Sequence, residues 1–325
     1  MTLHETMISY RTMDSAYVSG REIKDLFQDY PEAQVEVTEV YGEKGKTDFV
    51  RILIPGTSGK TSGGIAPTMG IVGRLGGIGA RPSRVGIVSD ADGAVAAVAA
   101  GLKLADMQQK GDRLVGDVIV TTHICPDAPT RPHDPVDFMD SPVEIDVMNR
   151  YEIEAAMDAI VSIDTTKGNR VINHKGIALS PTVKQGYILR VSEDLLRIME
   201  MTTGELPVTF PITTQDITPY GNGLYHINSI LQPAVATDAP VVGLAVTAKS
   251  AVPGCGTGAS HEVDIASAVR FAVETAKEVT AGTCRFYNEE EFAALHRLYG
   301  SMAQLQTLGA EETEKAEAAM EPSGL

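Results

Sequence analysis

Apolar residues in this chain are grouped in short, β-branched runs that stop at glycine, proline or aspartate, which is how strands read in a sequence. The runs "QVEVTEVYG" (34–42), "DFVRILIPG" (48–56), "RVGIVSD" (84–90), "GDVIVTTHI" (116–124) and "AIVSIDTT" (159–166) predict five strands. "GIALSPTV", "PVTFPIT" and "PVVGLAVT" add further strands downstream. Between them, apolar positions recurring at helical spacing predict helices over 92–109, 191–203 and 261–280. Strands alternating with helices predict an α/β fold, a mostly parallel mixed sheet flanked by helices in three layers. With no internal repeat and no long linker, residues 1–308 are expected to form a single domain. The end, "GAEETEKAEAAMEPSGL" (309–325), is acidic and poor in large apolar residues, so a mobile tail is expected.

Glycine is concentrated in 56–80, "GTSGKTSGGIAPTMGIVGRLGGIGA", where two phosphate-binding patterns fail. "GTSGKT" has Ile54 where a phosphate loop requires its first glycine, and "SGGIAP" cannot open the helix that would face a phosphate. In "GRLGGIGARP" a proline arrives before any helix. These glycines are read as turn and close-approach positions, and no nucleotide is expected.

Composition narrows the function classes. Among 325 residues, 27 Lys and Arg against 43 Asp and Glu give a formal charge of −16, which would repel a phosphate backbone, so no nucleic-acid partner is expected. No run approaches the roughly 20 apolar residues of a membrane span. The start, "MTLHETMISYRTMDSAY", has no basic-then-apolar leader, and Cys125, Cys255 and Cys284 make no paired framework. A cytoplasmic protein with free thiols is expected, acting on a small molecule and assembling as a homo-oligomer.

Strand ends carry the candidate chemistry, because parallel strands bring their carboxyl ends to one edge. "VSDADGA" places Asp90 and Asp92 where a strand gives way to a helix, a position that simple helix capping also explains. "THICPD" places His123, Cys125 and Asp127 after another strand. Asp164 ends a third strand, and His261 opens the last helix. Imidazole and carboxylate in this mix suit a divalent metal, Zn or Mn, as one or two ions, with Asp90, His123, Asp164 and His261 as ligands. Asp92 or Asp127 is the candidate general base for a metal-activated water, with Cys125 bordering the site. Arg74, Lys167, Asp216, Asn222, His226 and Cys255 are candidate substrate contacts, the cations suited to an anionic group.

That order of strand-end residues resembles the dinuclear zinc aminopeptidases, including the glutamyl-aminopeptidase type. The resemblance implies an aminopeptidase-like three-layer fold, with Asp90 as bridging ligand, Asp164 as terminal ligand and His261 as final ligand. The chain departs from that family at two places. His123 and Ile124 stand where a glutamate pair is expected, and Arg74 stands in a stretch where an upstream histidine ligand belongs. Across nearly its whole length the chain also resembles a bacterial family catalogued only as a domain of unknown function, in "GRLGGIGARP", "VSDADGA", "THICP", "DTTKGNRV", "QDITPYGNG" and "GASHE".

The expected function is metal-dependent hydrolysis of a small amide, peptide or lactam. Two alternatives stand beside it. One is a cofactor-independent racemase or epimerase using Cys125 and Cys255; the other is a non-catalytic small-molecule binder on a peptidase-like fold.

Overall fold

The apolar runs become the middle of one large sheet. The computed structural model describes residues 2–79, 86–224 and 229–309. In chain order the strands are β1 (Gln34–Gly42), β2 (Gly45–Ile54), β3 (Met69–Arg74), β4 (Val118–Ile124), β5 (Thr130–Arg131), β6 (Phe138–Met139), β7 (Ala159–Thr165), β8 (Gly176–Leu179), β9 (Val183–Lys184), β10 (Tyr187–Ile188) and β11 (Val241–Thr247). The helices are α1 (Leu3–Met13), α2 (Gly20–Asp25), α3 (Asp92–Gln109), α4 (Ile145–Glu152), α5 (Glu193–Thr203), α6 (Glu262–Thr280) and α7 (Glu289–Tyr299).

Strand order is β1-β2-β4-β3-β7-β11-β9-β10, with β8 also on β11 and β5-β6 a separate hairpin. The four central strands β4, β3, β7 and β11 run parallel, and the pairings outside them are antiparallel. Parallel strands must be covered on both faces. On one face lie α3, α6, α1 and α5. The alanines of α3 let it approach the strands closely, and Val95 through Ala100 are fully buried. The other face, with Leu53, Val72, Ile119, Ile160 and Val241, is covered by α4 and the 3-10 turns Thr214–Ile217 and Ser229–Val235. The fold is thus the helix-flanked mixed α/β sheet that the alternation predicts. Among the described residues no helix is long and apolar enough to cross a membrane.

Several local expectations are corrected. The glycine-rich span contains β3, because Gly70 and Gly73 lie in a strand so tightly covered that a Cβ at Gly73 would come within 2.6 Å of the Gly93 carbonyl. Of the strand expected at 84–90, residues 84 and 85 lie outside the described residues. Residues 86–88 are irregular and Ser89–Ala91 is a 3-10 turn. "PVTFPIT" forms no strand, touching the sheet only through an isolated bridge from Thr209 to Leu179. Helices α1 and α4 escape the periodicity because α1 buries Glu5, Thr6 and Ser9, and α4 buries Asn149 and Glu152. Of the expected tail, residues 310–325 lie outside the described residues.

Candidate active site

The first turn of α3 is wedged across the carboxyl ends of β3 and β7, and glycine makes that possible. A Cβ at Gly93 would lie 2.0 Å from the Arg74 carbonyl oxygen and 2.4 Å from that of Ile163. The turn ahead of it is clamped by the segment following β11. Ser89 N–H donates to Gly256 O at 3.1 Å, Asp90 N–H to Gly254 O at 3.0 Å, and the Ser89 hydroxyl to Pro253 O at 2.7 Å. Thr165, at the end of β7, donates its hydroxyl to Ser89 O at 2.7 Å. Val252 N–H bonds Lys167 O, and Gly254 N–H bonds Asp137 O. Four loops therefore converge on Asp90 and Asp92.

The two carboxyls differ in surroundings. Asp92 is fully buried, and its Oδ2 meets the Lys167 ammonium at 2.5 Å; Lys167 is 1% exposed and also donates to Ala259 O at 2.9 Å. Burial pushes the Asp92 carboxyl up, and Lys167 opposes that push. The Ser260 hydroxyl is buried beside Asp92 and joins Lys167 in opposing that push. Asp90 lies beside them at 8% exposure and accepts the Met139 N–H at Oδ2 at 3.0 Å. Gly254 packs against this carboxyl so closely that a Cβ there would fall 2.0 Å from Oδ2. Burial pushes the Asp90 carboxyl up to about 7; Asp92 adds to the rise, while the Met139 N–H and Lys167 oppose it. Half-buried Cys255 follows in sequence, its thiol pushed up by burial and by the charges of Asp137 and Asp90. Tyr10 of α1 also feels the Asp92 charge, and burial raises its phenol.

A second polar group is built on the opposite face, beneath α4. Glu152 accepts from His123 Nδ1 at 2.8 Å and pairs with Arg74 Nε at 2.6 Å. Arg74 Nη2 donates to Asn149 Oδ1 at 2.6 Å. All four residues are buried. The other ring nitrogen of His123, Nε2, accepts the Gly76 N–H at 3.2 Å. Both ring nitrogens of His123 are thereby engaged.

The four expected metal ligands lie in different surroundings. His123 has no free nitrogen for a metal, and Asp92 Oδ2 is already committed to an ammonium. His261 caps α6, its Nδ1 lying 3.5 Å from Asp264 Oδ2. Asp164 ends β7 in register with Arg74 and Ala245. Among the described residues no three His, Cys, Asp or Glu side chains are spaced to hold a metal ion. Of the expected set Asp90, His123, Asp164 and His261, His123 does not fit a ligand role, since both its ring nitrogens are engaged.

The remaining candidates separate. Lys167 belongs to the Asp90–Asp92 group. Arg74 is fully buried and engaged by Glu152 and Asn149, so it presents no open charge to a substrate. Cys125 is 1% exposed in a small apolar cluster with Val88, Ala128 and Met139, against which Cys255 packs. Asp127 is half-buried in the turn after β4. Asp216 closes a capping box, its Oδ2 accepting the Thr213 N–H at 2.7 Å. Asn222 braces its own loop, donating to the Thr218 hydroxyl and accepting the Leu224 N–H. His226 lies outside the described residues.

Sequence reasoning missed Glu152, Asn149, Tyr10 and Ser260. Tyr10 sits on α1, whose buried face is polar, Glu152 and Asn149 sit on α4, too short at eight residues for its periodicity to stand out, and "GASHE" signals only a helix start at Ser260. At the other end of the strands lies an open groove of ≈ 900 Å³ lined by Met157, Asp158, Asp238 and Pro240. It is remote from the buried carboxyls, and Asp158 there is paired with Lys60 at 2.7 Å. The "GTSGKT" loop is near that end too, folded around Asp117, which accepts the N–H groups of Gly56 and Thr61.

The model of a family described as "Protein of unknown function (DUF1177)" matches residues 38–309, which takes in every element from β2 onward and the whole convergent edge. The match bears out the family resemblance carried by the six motifs, and it gives the zinc aminopeptidase resemblance no support. No curated protein matches the chain.

Proposed function

Because the chain belongs to the DUF1177 family, whose description assigns no activity, we propose a function from geometry: hydrolysis of a small amide, peptide or lactam, with Asp90 as general base. The observation that supports this reading is a buried carboxyl pushed to about 7 beside a second carboxyl neutralised by a buried lysine. Paired acids in unlike surroundings are how one site separates its proton-transfer and charge-holding roles. Asp90 takes a proton from the attacking water and returns it to the leaving amine. Asp92 and the Ala259 carbonyl hold Lys167 in place, and Lys167 keeps a fixed positive charge beside the two carboxyls. Hydrolysis is chosen over other proton transfers on the resemblance of strand-end order to the zinc aminopeptidases, a likeness of pattern alone. The metal-activated water expected from that pattern has no step in this scheme, and His123 is held by Glu152 and the Gly76 N–H.

The test is turnover of a panel of small amides and lactams across pH. With Asp90 as base, kcat/KM rises with pH, levels off above about 7, and disappears in Asp90→Asn. An Asp90→Asn protein with unchanged turnover, or turnover that requires added Zn²⁺ or Mn²⁺, overturns the scheme.

One observation favours a second reading, an isomerase moving a proton at a substrate carbon: the Cys255 thiol is close enough to Asp90 to feel its charge. The raised thiol makes Cys255 a proton donor and a poor resting base. Cys255→Ser separates the readings. It leaves hydrolysis largely intact and abolishes isomerisation.

A further inference from the structure

The sheet ends at β1, nine residues long, and among the described residues no strand pairs with its outer side. A long unpaired edge is an adhesive surface unless charge, proline or a bulge blunts it. "QVEVTEVYG" has no proline, and its register with β2 runs unbroken from Gln34↔Leu53 to Gly42↔Gly45, without a bulge. Of its two acids, Glu39 is paired inside the chain, while the Arg51 beside Glu36 is bound chiefly by Glu154. Glu36 faces Arg51 at 3.8 Å, and Glu39 is held by Lys46 and by the Tyr41 hydroxyl at 2.6 Å.

The hairpin fixes which backbone groups point outward. Gly42 and Gly45 close a two-residue turn, so they exchange both hydrogen bonds, as do Val40 and Thr47, Thr38 and Phe49, and Glu36 and Arg51. Val35, Val37, Glu39 and Tyr41 therefore direct their N–H and C=O groups to the free edge. We propose that this edge pairs antiparallel with β1 of a second copy, about a twofold axis at Thr38, giving one continuous sheet through a dimer.

That register matches every outward-directed residue. Val35 pairs with Tyr41 of the second copy, and Val37 with its Glu39, each pair exchanging two hydrogen bonds. Thr38 meets its own counterpart in a non-hydrogen-bonded pair. Glu36 falls opposite Val40, so no acid faces an acid. A shift of the axis to Glu39 sets two carboxylates opposite each other, and a shift to Val37 leaves Tyr41 unpaired. Tyr41, 72% exposed in the single chain, gains the half-buried Val35 as a cross-strand neighbour. The arrangement is independent of the hydrolase reading, since β1 is separated from Asp90 by β2, β4 and β3.

Two variants test it in the full-length protein. Glu39→Pro deletes an outward N–H without touching the β1–β2 ladder, and edge strands tolerate proline there. Thr38→Cys places two thiols across a non-hydrogen-bonded pair whose Cα separation, about 4.5 Å, suits a disulfide. By light scattering and sedimentation the unaltered protein is expected to be a dimer. Glu39→Pro should keep its circular dichroism spectrum and raise the dimer dissociation constant by roughly tenfold or more. Mild oxidation should convert a Thr38→Cys, Cys255→Ser protein to a covalent dimer while Cys255→Ser alone, with Cys125 and Cys284 buried, stays uncrosslinked. A monomer at 100-fold dilution series up to about 100 μM, a weak-affinity ceiling for a specific dimer, overturns the proposal. So does a dimer that Glu39→Pro leaves intact and Thr38→Cys fails to crosslink.

Discussion

Asp90→Asn should stabilise the protein at pH 8 while removing its activity. In the folded chain burial raises this carboxyl from 3.8 to about 7. Between those values the folded state holds a proton that the unfolded state releases, so folding stability falls as pH rises through that window. Roughly three units at about 1.4 kcal/mol each amount to about 4 kcal/mol by pH 8, against a typical total of about 5–15 kcal/mol. Asparagine has the shape of the protonated acid, keeps an oxygen for the Met139 N–H, and does not titrate. The stability difference between variant and unaltered protein should be near zero at pH 4, grow from pH 4 to 7, and level off near 4 kcal/mol, on the order of the shift itself. Urea unfolding followed by circular dichroism, run from pH 4 to 8.5, reads this difference directly (about 3 M in midpoint at a slope near 1.5 kcal/mol/M). Parallel stability curves for the two proteins would refute the argument, because they would mean that Asp90 ionises in the fold as it does in water.

Further substitutions probe how the sheet edge and its buried pairs are assembled. Lys167→Met strands the buried Asp92 carboxylate and should cost about 3–5 kcal/mol, whereas adding Asp92→Asn should recover much of that loss; equal losses in single and double variants by chemical denaturation would argue against the pair. Glu152→Gln leaves Arg74 as a buried charge without its counterion and should lower stability by a similar 3–5 kcal/mol, read as a fall in melting temperature that lowering the pH does not restore. Gly93→Ala forces α3 off the strand ends and should yield little folded protein. Gly101→Ala, on the same helix, meets only side-chain atoms at 3.3 Å and should be neutral or gain up to about 1 kcal/mol in thermal unfolding.

The central strands and the long helices were legible in the sequence because their burial leaves a local trace. Parallel strands covered on both faces read as unbroken apolar runs, as in "GDVIVTTHI", and α3 begins and ends at the residues its alanine-rich pattern predicts. "RVGIVSD" carries the same trace, yet its described part is irregular, since a backbone hydrogen-bonded to Gly254 and Gly256 has no need of a ladder. The converse holds for β3, whose glycines hide a strand that α3 covers too closely to admit side chains. At the site, strand-end position alone marked Asp90, Asp92 and Lys167, because a carboxyl edge is a property of chain order. Which side chains meet was decided elsewhere. His123 and Asp90 look alike as strand-end candidates, and only the packing of α4, with Glu152 directed at His123 Nδ1 and the Gly76 N–H at Nε2, turns one into a structural anchor. The Asp92–Lys167 pair joins residues 75 apart in sequence. The raised carboxyl of Asp90 depends on its burial, with Gly254 packed against it and the Met139 N–H opposing the rise, and both residues come from distant segments. A pKa is set by how much water and which charges surround a group, and those are fixed only when distant segments close over it.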